Sequence, residues 1–111
     1  MKEKISVIIP TVNAYEELDL AIASIKNNSD CEIEFCVIID PDMNTGKVNE
    51  DILKVCKKNG VKAWVNKENL GPYGNWNRGA KVATTDWLVF ATDDQYFAPH
   101  WDSNLLKYWA P

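Results

Sequence analysis

The chain has 111 residues, enough for one hydrophobic core and too few for two ordinary domains. Its residues are 46% hydrophobic and 25% charged, the balance of a folded globular protein and not of a disordered one. A formal net charge of −4 gives no electrostatic footprint for nucleic acid or an anionic membrane surface. Phosphate ligands stay open, because a metal ion or a helix N-terminus binds them without a basic surface.

The opening Met-Lys-Glu-Lys leads into a short apolar run that ends at Pro10, the pattern of neither a signal peptide nor a membrane anchor. Cys31, Cys36 and Cys56 form no Cys-x-x-Cys pair, so a reduced, cytoplasmic setting is expected. Cys36 falls in an apolar run and Cys56 on an apolar helix stripe, which points to packing and not to metal ligation.

Residues 5–9 are a β-branched run, expected to close at Pro10 because proline cannot continue a central strand. Tyr15, Leu18, Ile22 and Ile25 then recur at helical spacing over 14–28, with Asn13 as expected N-cap and Glu16 as its capping-box partner. Residues 34–39 read as a second strand ending at Asp40. The polar loop 41–46 leads to a helix with Val48, Ile52, Val55 and Cys56 on one face and a stop at Asn59-Gly60. In 61–65, Val61, Ala63 and Val65 alternate with Lys62, Trp64 and Asn66, which fits an edge strand with one wetter face. After the loop 66–72, a helix is expected over 73–84, weakened by Gly74 and Gly79. Residues 87–91 read as a fourth, buried strand. A last helix is expected from near Pro99, carrying Trp101, Leu105, Leu106 and Trp109.

Strands alternating with helices indicate an α/β fold, a Rossmann-like parallel sheet of about four strands with helices on both faces. Right-handed crossovers bring the strand C-termini to one edge, where open α/β sheets bind ligands. Thr11 and Asn13, Asp40 and Asp42, Asn66 and Asn69, and Thr92, Asp93 and Asp94 all fall there.

Asp93-Asp94 is the sharpest feature. Two adjacent carboxylates after a strand are costly to desolvate without a positive partner, and a divalent cation with oxygen ligands would supply one. A solvated turn is the alternative. Asp40 and Asp42 can accept from a base N–H or a ribose hydroxyl, or cap the loop that follows. The glycine- and amide-rich segment 69–79 can bring backbone close to a ligand, with Arg78 reaching a phosphate; a tightly packed helix with a solvated Arg78 is the other reading. His100, the single histidine, reads as a surface or capping residue with a lesser option of a metal or phosphate role. Trp76 and Trp101 are the tryptophans nearest the expected site. There is no Ser-His-Asp or Cys-His pairing and no Walker-type loop. A phospho-receiver domain is excluded, since Pro10-Thr11 stands where its acidic pair would follow the first strand.

Four pieces in order resemble family-two glycosyltransferases of the GT-A type. They are Ile5 to Asn13 (that family's Pro-Thr-Tyr-Asn strand), Val37-Ile38-Ile39-Asp40, Asn69-Leu70-Gly71 with Asn77-Arg78-Gly79, and Val89 to Asp94 followed by Pro99-His100-Trp101. The resemblance covers nearly the whole chain. It implies a nucleotide-diphospho-sugar donor, a UDP-sugar above others, with Mn²⁺ or Mg²⁺. Carried over, Thr11 and Asp40 would contact the nucleoside, Asp93 the ribose or diphosphate, and Asp94 would be the principal metal ligand. Asn13, Asp42, Asn69, Gly71 and Arg78 complete the expected donor-binding set.

The sequence departs from the family's pattern at Val12, at Thr92 in place of the first acidic residue, and at Trp76 where an Arg is frequent; Arg78 is the expected substitute. A single nucleotide-sugar-binding domain over 1–111 follows, with the acceptor-binding half and its catalytic base expected beyond Pro111, so the catalytic residue and the acceptor are left unassigned. A non-catalytic nucleotide-binding or assembly module is the alternative. An unpaired edge on the fourth strand suggests a homo-oligomer.

Overall fold

The computed structural model of the chain describes residues 3–108. Four strands and four helices alternate: β1 (Lys4–Thr11), α1 (Tyr15–Asn28), β2 (Glu32–Ile39), α2 (Glu50–Asn59), β3 (Lys62–Val65), α3 (Gly71–Val82), β4 (Trp87–Phe90) and α4 (Trp101–Lys107). The strands form one parallel sheet in the order β3-β2-β1-β4. This is the expected α/β sheet, and its chain reversal at β1 leaves a crevice at the C-terminal ends of β1 and β4.

Alternate residues of β1 serve two cores. Ile5, Val7 and Ile9 pack with Leu18, Ile22 and Ile25 of α1 and Ile52, Val55 and Cys56 of α2; Trp101 and Leu106 of α4 join this face. Ile8, Cys36 and Ile38 on the opposite face pack under Trp76 and Ala80 of α3. Gly79 permits that approach: a Cβ there would overlap Ile8 Cγ2 and lie 3.2 Å from Ile8 Cβ and Cγ1. The glycine that weakens α3 by propensity is thus what lets α3 lie on β1. Burial pushes the thiols of Cys36 and Cys56 up to about 12 and about 11, so both stay protonated and inert.

Several expectations are corrected. Pro10 does not close β1, which continues to Thr11 with Pro10 beside Ile38. Because the Thr11 carbonyl accepts from Asp40 N–H on the β2 side, the Pro10 nitrogen faces β4, where Ala91 N–H already bonds Ile8 C=O. β4 ends at Phe90, and the Ala91 carbonyl accepts from Trp76 Nε1–H at 3.1 Å instead of from a backbone N–H at position 10. A proline fits the central strand because an indole stands in for its missing donor.

Asn13 does not cap α1. Ala14 holds the N-cap position, and no side chain bonds there. The Asn13 Nδ2–H donates instead to Asp42 Oδ2 at 2.8 Å. β3 is the expected edge strand, yet Trp64 and Asn66 of its more polar set turn inward, while Ala63 and Val65 are exposed. α3 lies over that side, so Trp64 packs with Ile8, Cys36 and Ile38.

β4 is likewise an edge strand and not a buried one. Trp87 and Val89 pack inward, but Leu88 is 40% and Phe90 53% exposed. Helix α3 begins at Gly71 with Pro72 in its first turn, earlier than expected. Trp109, expected on the last helix, lies outside the described residues. No helix among the described residues is long and apolar enough to cross a membrane.

Candidate functional site

The segments after β1, β2 and β4, with the start of α3, surround a cleft of about 520 Å³. Thr11 and Asn13 line it from β1, Asp40 and Met43 from β2, Asn69, Gly71, Asn75 and Trp76 from the α3 side, and Thr92 and Asp93 from β4. None of its lining residues is Lys, Arg or His.

Asp93 is partly buried, and the Thr11 hydroxyl donates to its Oδ2 at 2.9 Å. Burial pushes its carboxyl above the ordinary value, against the Thr11 bond and with help from the neighbouring Asp94 charge. Asp94 is exposed and accepts from Thr92 Oγ1–H at 2.7 Å, while Thr92 N–H donates to Gln95 Oε1 at 2.8 Å. The two carboxylates therefore diverge: Asp93 is tied back to β1, and Asp94 stands at the rim without lining the cleft.

Asp40 is 1% exposed. Its Oδ1 accepts from Asn66 Nδ2–H at 2.7 Å and Leu70 N–H at 3.1 Å, its Oδ2 from Asn75 Nδ2–H at 2.7 Å and Gly71 N–H at 3.1 Å. No side chain of α3's own N-cap residue bonds its first turn, so Asp40 supplies that cap from the end of β2. Asn69 adds a bond from Nδ2–H to the Pro41 carbonyl at 3.1 Å, and Gly71 takes a φ of 77°, where a side chain would be strained.

Asp42 does not line the cleft. It accepts from Asn13 and from the backbone N–H groups of Asn44 and Thr45, at 2.8 to 3.1 Å, and these bonds hold its carboxyl below the usual range. Asn13 also accepts from Asn49 Nδ2–H at 3.3 Å, so this trio joins the ends of β1 and β2 to the start of α2.

Two residues stand away from the cleft. Arg78 donates from Nη1–H to Asn66 Oδ1 behind the Asp40 cluster and is not a lining residue. His100 pairs through Nδ1 with Asp30 Oδ2 at 2.9 Å and donates its backbone N–H to the Asn28 carbonyl at the C-terminal end of α1; it does not line the cleft. Asp102, fully buried, accepts from the N–H groups of Asp30, Cys31 and Ser103, clasping α4 to the loop after α1.

The structure therefore gathers Thr11, Asn13, Asp40, Asn69, Gly71 and Asp93 around one cleft, with Asp42 and Asp94 beside it. Sequence reading missed the Asn66–Asn75 pair as the partners of Asp40. The usable signal was Asn75 itself, a poor helix former placed mid-helix on the buried side.

S. aureus TarS superposes with a TM-score of 0.73 at 23% identity, covering 94% of this chain and 19% of that one. Residues 1–349 of S. aureus TarS in complex with UDP give a TM-score of 0.72 at 22% identity, covering 94% and 31%. The fold is thus of the GT-A type. Over 94 residues the chain is 33% identical to the GalNAc(5)-diNAcBac-PP-undecaprenol beta-1,3-glucosyltransferase of Campylobacter jejuni, 82% of this chain and 29% of that protein. It is 33% identical over 109 residues to an uncharacterized glycosyltransferase of Mycoplasma genitalium, 95% of this chain and 37% of that protein. The chain thus spans between 13% and 37% of the length of these curated relatives and of an uncharacterized glycosyltransferase of Rickettsia bellii that it also matches. The family model described as glycosyl transferase family 2 matches residues 6–111, and the chain belongs to that family.

Proposed function

We propose that the chain forms one donor-binding unit of a glycosyltransferase, taking a nucleotide-diphospho-sugar, UDP-linked above others, together with Mn²⁺ or Mg²⁺. One observation carries this reading: a cleft at the sheet's C-terminal edge is lined by a half-buried carboxylate and by no cationic side chain. A diphosphate entering it would meet Asp93 within the cleft and Asp94 at its rim, with no lining cation to offset either charge. Arg78 is engaged elsewhere, and the α3 N-terminus already faces the Asp40 carboxylate. A divalent cation held by Asp93 and Asp94 would supply the missing positive charge.

The residues fit such an ion. Asp93 and Asp94 offer hard oxygen donors. Among the described residues no group of three or more His, Cys, Asp or Glu could hold a metal. An ion on two carboxylates would take its remaining ligands from substrate phosphates and water, as is usual for Mg²⁺. When bound, the ion supplies Lewis-acid stabilisation of the departing diphosphate. Thr11 orients Asp93 through its hydroxyl, Thr92 orients Asp94, and Thr11, Asn13, Asn69 and Gly71 form the nucleoside end, with Asp42 holding Asn13.

Three free cysteines, two of them buried, fit a cytoplasmic protein. The acceptor side is a separate matter. Of the cleft's two carboxylates, Asp40 is saturated by protein donors and Asp93 is assigned to the ion, which leaves none as a general base for an acceptor hydroxyl. That observation favours completion by other residues of the polypeptide, with the non-catalytic nucleotide-binding module as the second reading.

Calorimetric titration of UDP with and without Mn²⁺ tests the donor reading. Metal-dependent binding that Asp94→Asn abolishes is expected, and equal affinity without metal would refute the ion's role. Sugar transfer or donor hydrolysis by the chain separates an enzyme from a binding module.

A further inference from the structure

We propose that Asp40 is a positioning residue of the cleft, which sets the first turn of α3 and the Asn69–Gly71 segment and does not itself bond the nucleobase. The inference rests on the donor-binding reading above and changes one assignment within it. A carboxylate offers about four lone-pair sites. Asn66, Leu70, Asn75 and Gly71 occupy four, two on each oxygen, at 2.7 to 3.1 Å. An N–H from a base would have to displace one of them, and at 1% exposure the vacated donor would have no water to turn to.

The surrounding amides make this arrangement one-way. Asn75 can donate to Asp40 because its own Oδ1 accepts from Asn66 Nδ2–H at 2.6 Å, and Asn66 Oδ1 in turn accepts from Arg78. Asn66 and Asn75 are 5% and 1% exposed. Every orientation in the cluster is thereby fixed, and all of it converges on the backbone that presents Asn69 and Gly71 to the cleft. Asp40 thus acts on a nucleotide through the placement of those two residues.

Asp40→Asn and Asn75→Ala test the assignment, with UDP, CDP and ADP titrated in the presence of Mn²⁺ and circular dichroism confirming that each variant is folded. In Asp40→Asn the new amide group faces two donors whichever way it turns. The positioning role predicts that the three nucleotides weaken by a common factor of about ten. Asn75→Ala, which leaves Asp40 charged and frees one of its acceptor sites, should weaken all three in the same way. Exchanging the pair, Asp40→Asn with Asn75→Asp, should recover part of the loss, because a carboxylate then faces the amide from the other side.

A loss confined to UDP in Asp40→Asn, or unchanged or tighter UDP binding in Asn75→Ala, would overturn the proposal and leave the donor reading standing. Unchanged affinity for all three in folded Asp40→Asn would reduce the residue to a purely structural one and also overturn it. Failure of the unsubstituted chain to bind any of the three would remove the donor reading first, and this assignment with it.

Discussion

Gly79→Ala sets two physical effects directly against each other. On an exposed helix the change is favourable by about 1 kcal/mol, since alanine is the best helix former. Here the added Cβ overlaps Ile8 Cγ2 and lies 3.2 Å from two further Ile8 carbons, and Ile8 is fully buried in β1. An ordinary carbon–carbon contact is about 3.5–4.0 Å, so α3 must lift by more than about 1 Å or Ile8 must leave its rotamer. Overpacking of that kind costs about 3 kcal/mol, at the upper end for a rigid core. The net expectation is a destabilisation of about 2 kcal/mol, read as a lower urea midpoint at unchanged slope.

The partner of the clash is named, so a double-mutant cycle checks the cause. Ile8→Ala alone should cost about 3 kcal/mol as a cavity. Combined with Gly79→Ala, it should cost at least about 1 kcal/mol less than the sum, because the shortened side chain makes room for the new methyl. A Gly79→Ala chain as stable as the parent, or strictly additive behaviour with Ile8→Ala, would refute the close-packing account.

Three further outcomes follow from particular contacts. Trp76→Phe removes the donor to the buried Ala91 carbonyl and should cost about 1–2 kcal/mol in urea unfolding; unchanged stability would mean that the carbonyl finds another partner. For Asp102, burial raises the carboxyl and the Asp30, Cys31 and Ser103 N–H groups lower it by more, leaving it depressed. Its contribution is therefore present above the unfolded value of about 4 and is lost as pH falls through the lower folded value. Asp102→Asn should cost about 2–3 kcal/mol near neutrality, with the gap to the parent closing in acid, and a pH-independent gap would contradict this. The outer edge of β4, which no other strand among the described residues pairs, with Leu88 and Phe90 exposed, should make sedimentation of the chain concentration-dependent; a clean monomer at high concentration would remove that expectation.

The sequence by itself determined the alternation of strands and helices, and with it the parallel sheet and the edge on which Thr11, Asp40, Asn69 and Asp93 meet. Those features depend on local periodicity and on handedness rules that act over a few residues. It also singled out β3 as an edge and Gly60 as the stop of α2, where φ reaches 66°.

Other features are properties of neighbours far away in the chain, and only the tertiary structure decided them. Pro10 sits inside a central strand because an indole 66 positions later bonds the carbonyl it cannot reach, and Gly79 serves β1 and not a ligand. Trp64 turns inward because α3 covers its side of the sheet, and β4 is half exposed because nothing among the described residues pairs its outer edge. Asp40 shows the division most clearly. Its position at the end of β2 could be read from the apolar run before it, but whether its oxygens were free depended on amides at positions 66 and 75 and on the first turn of α3. A hydrogen-bond acceptor's capacity is consumed by whatever donors the fold delivers to it, and one-dimensional pattern carries no account of that.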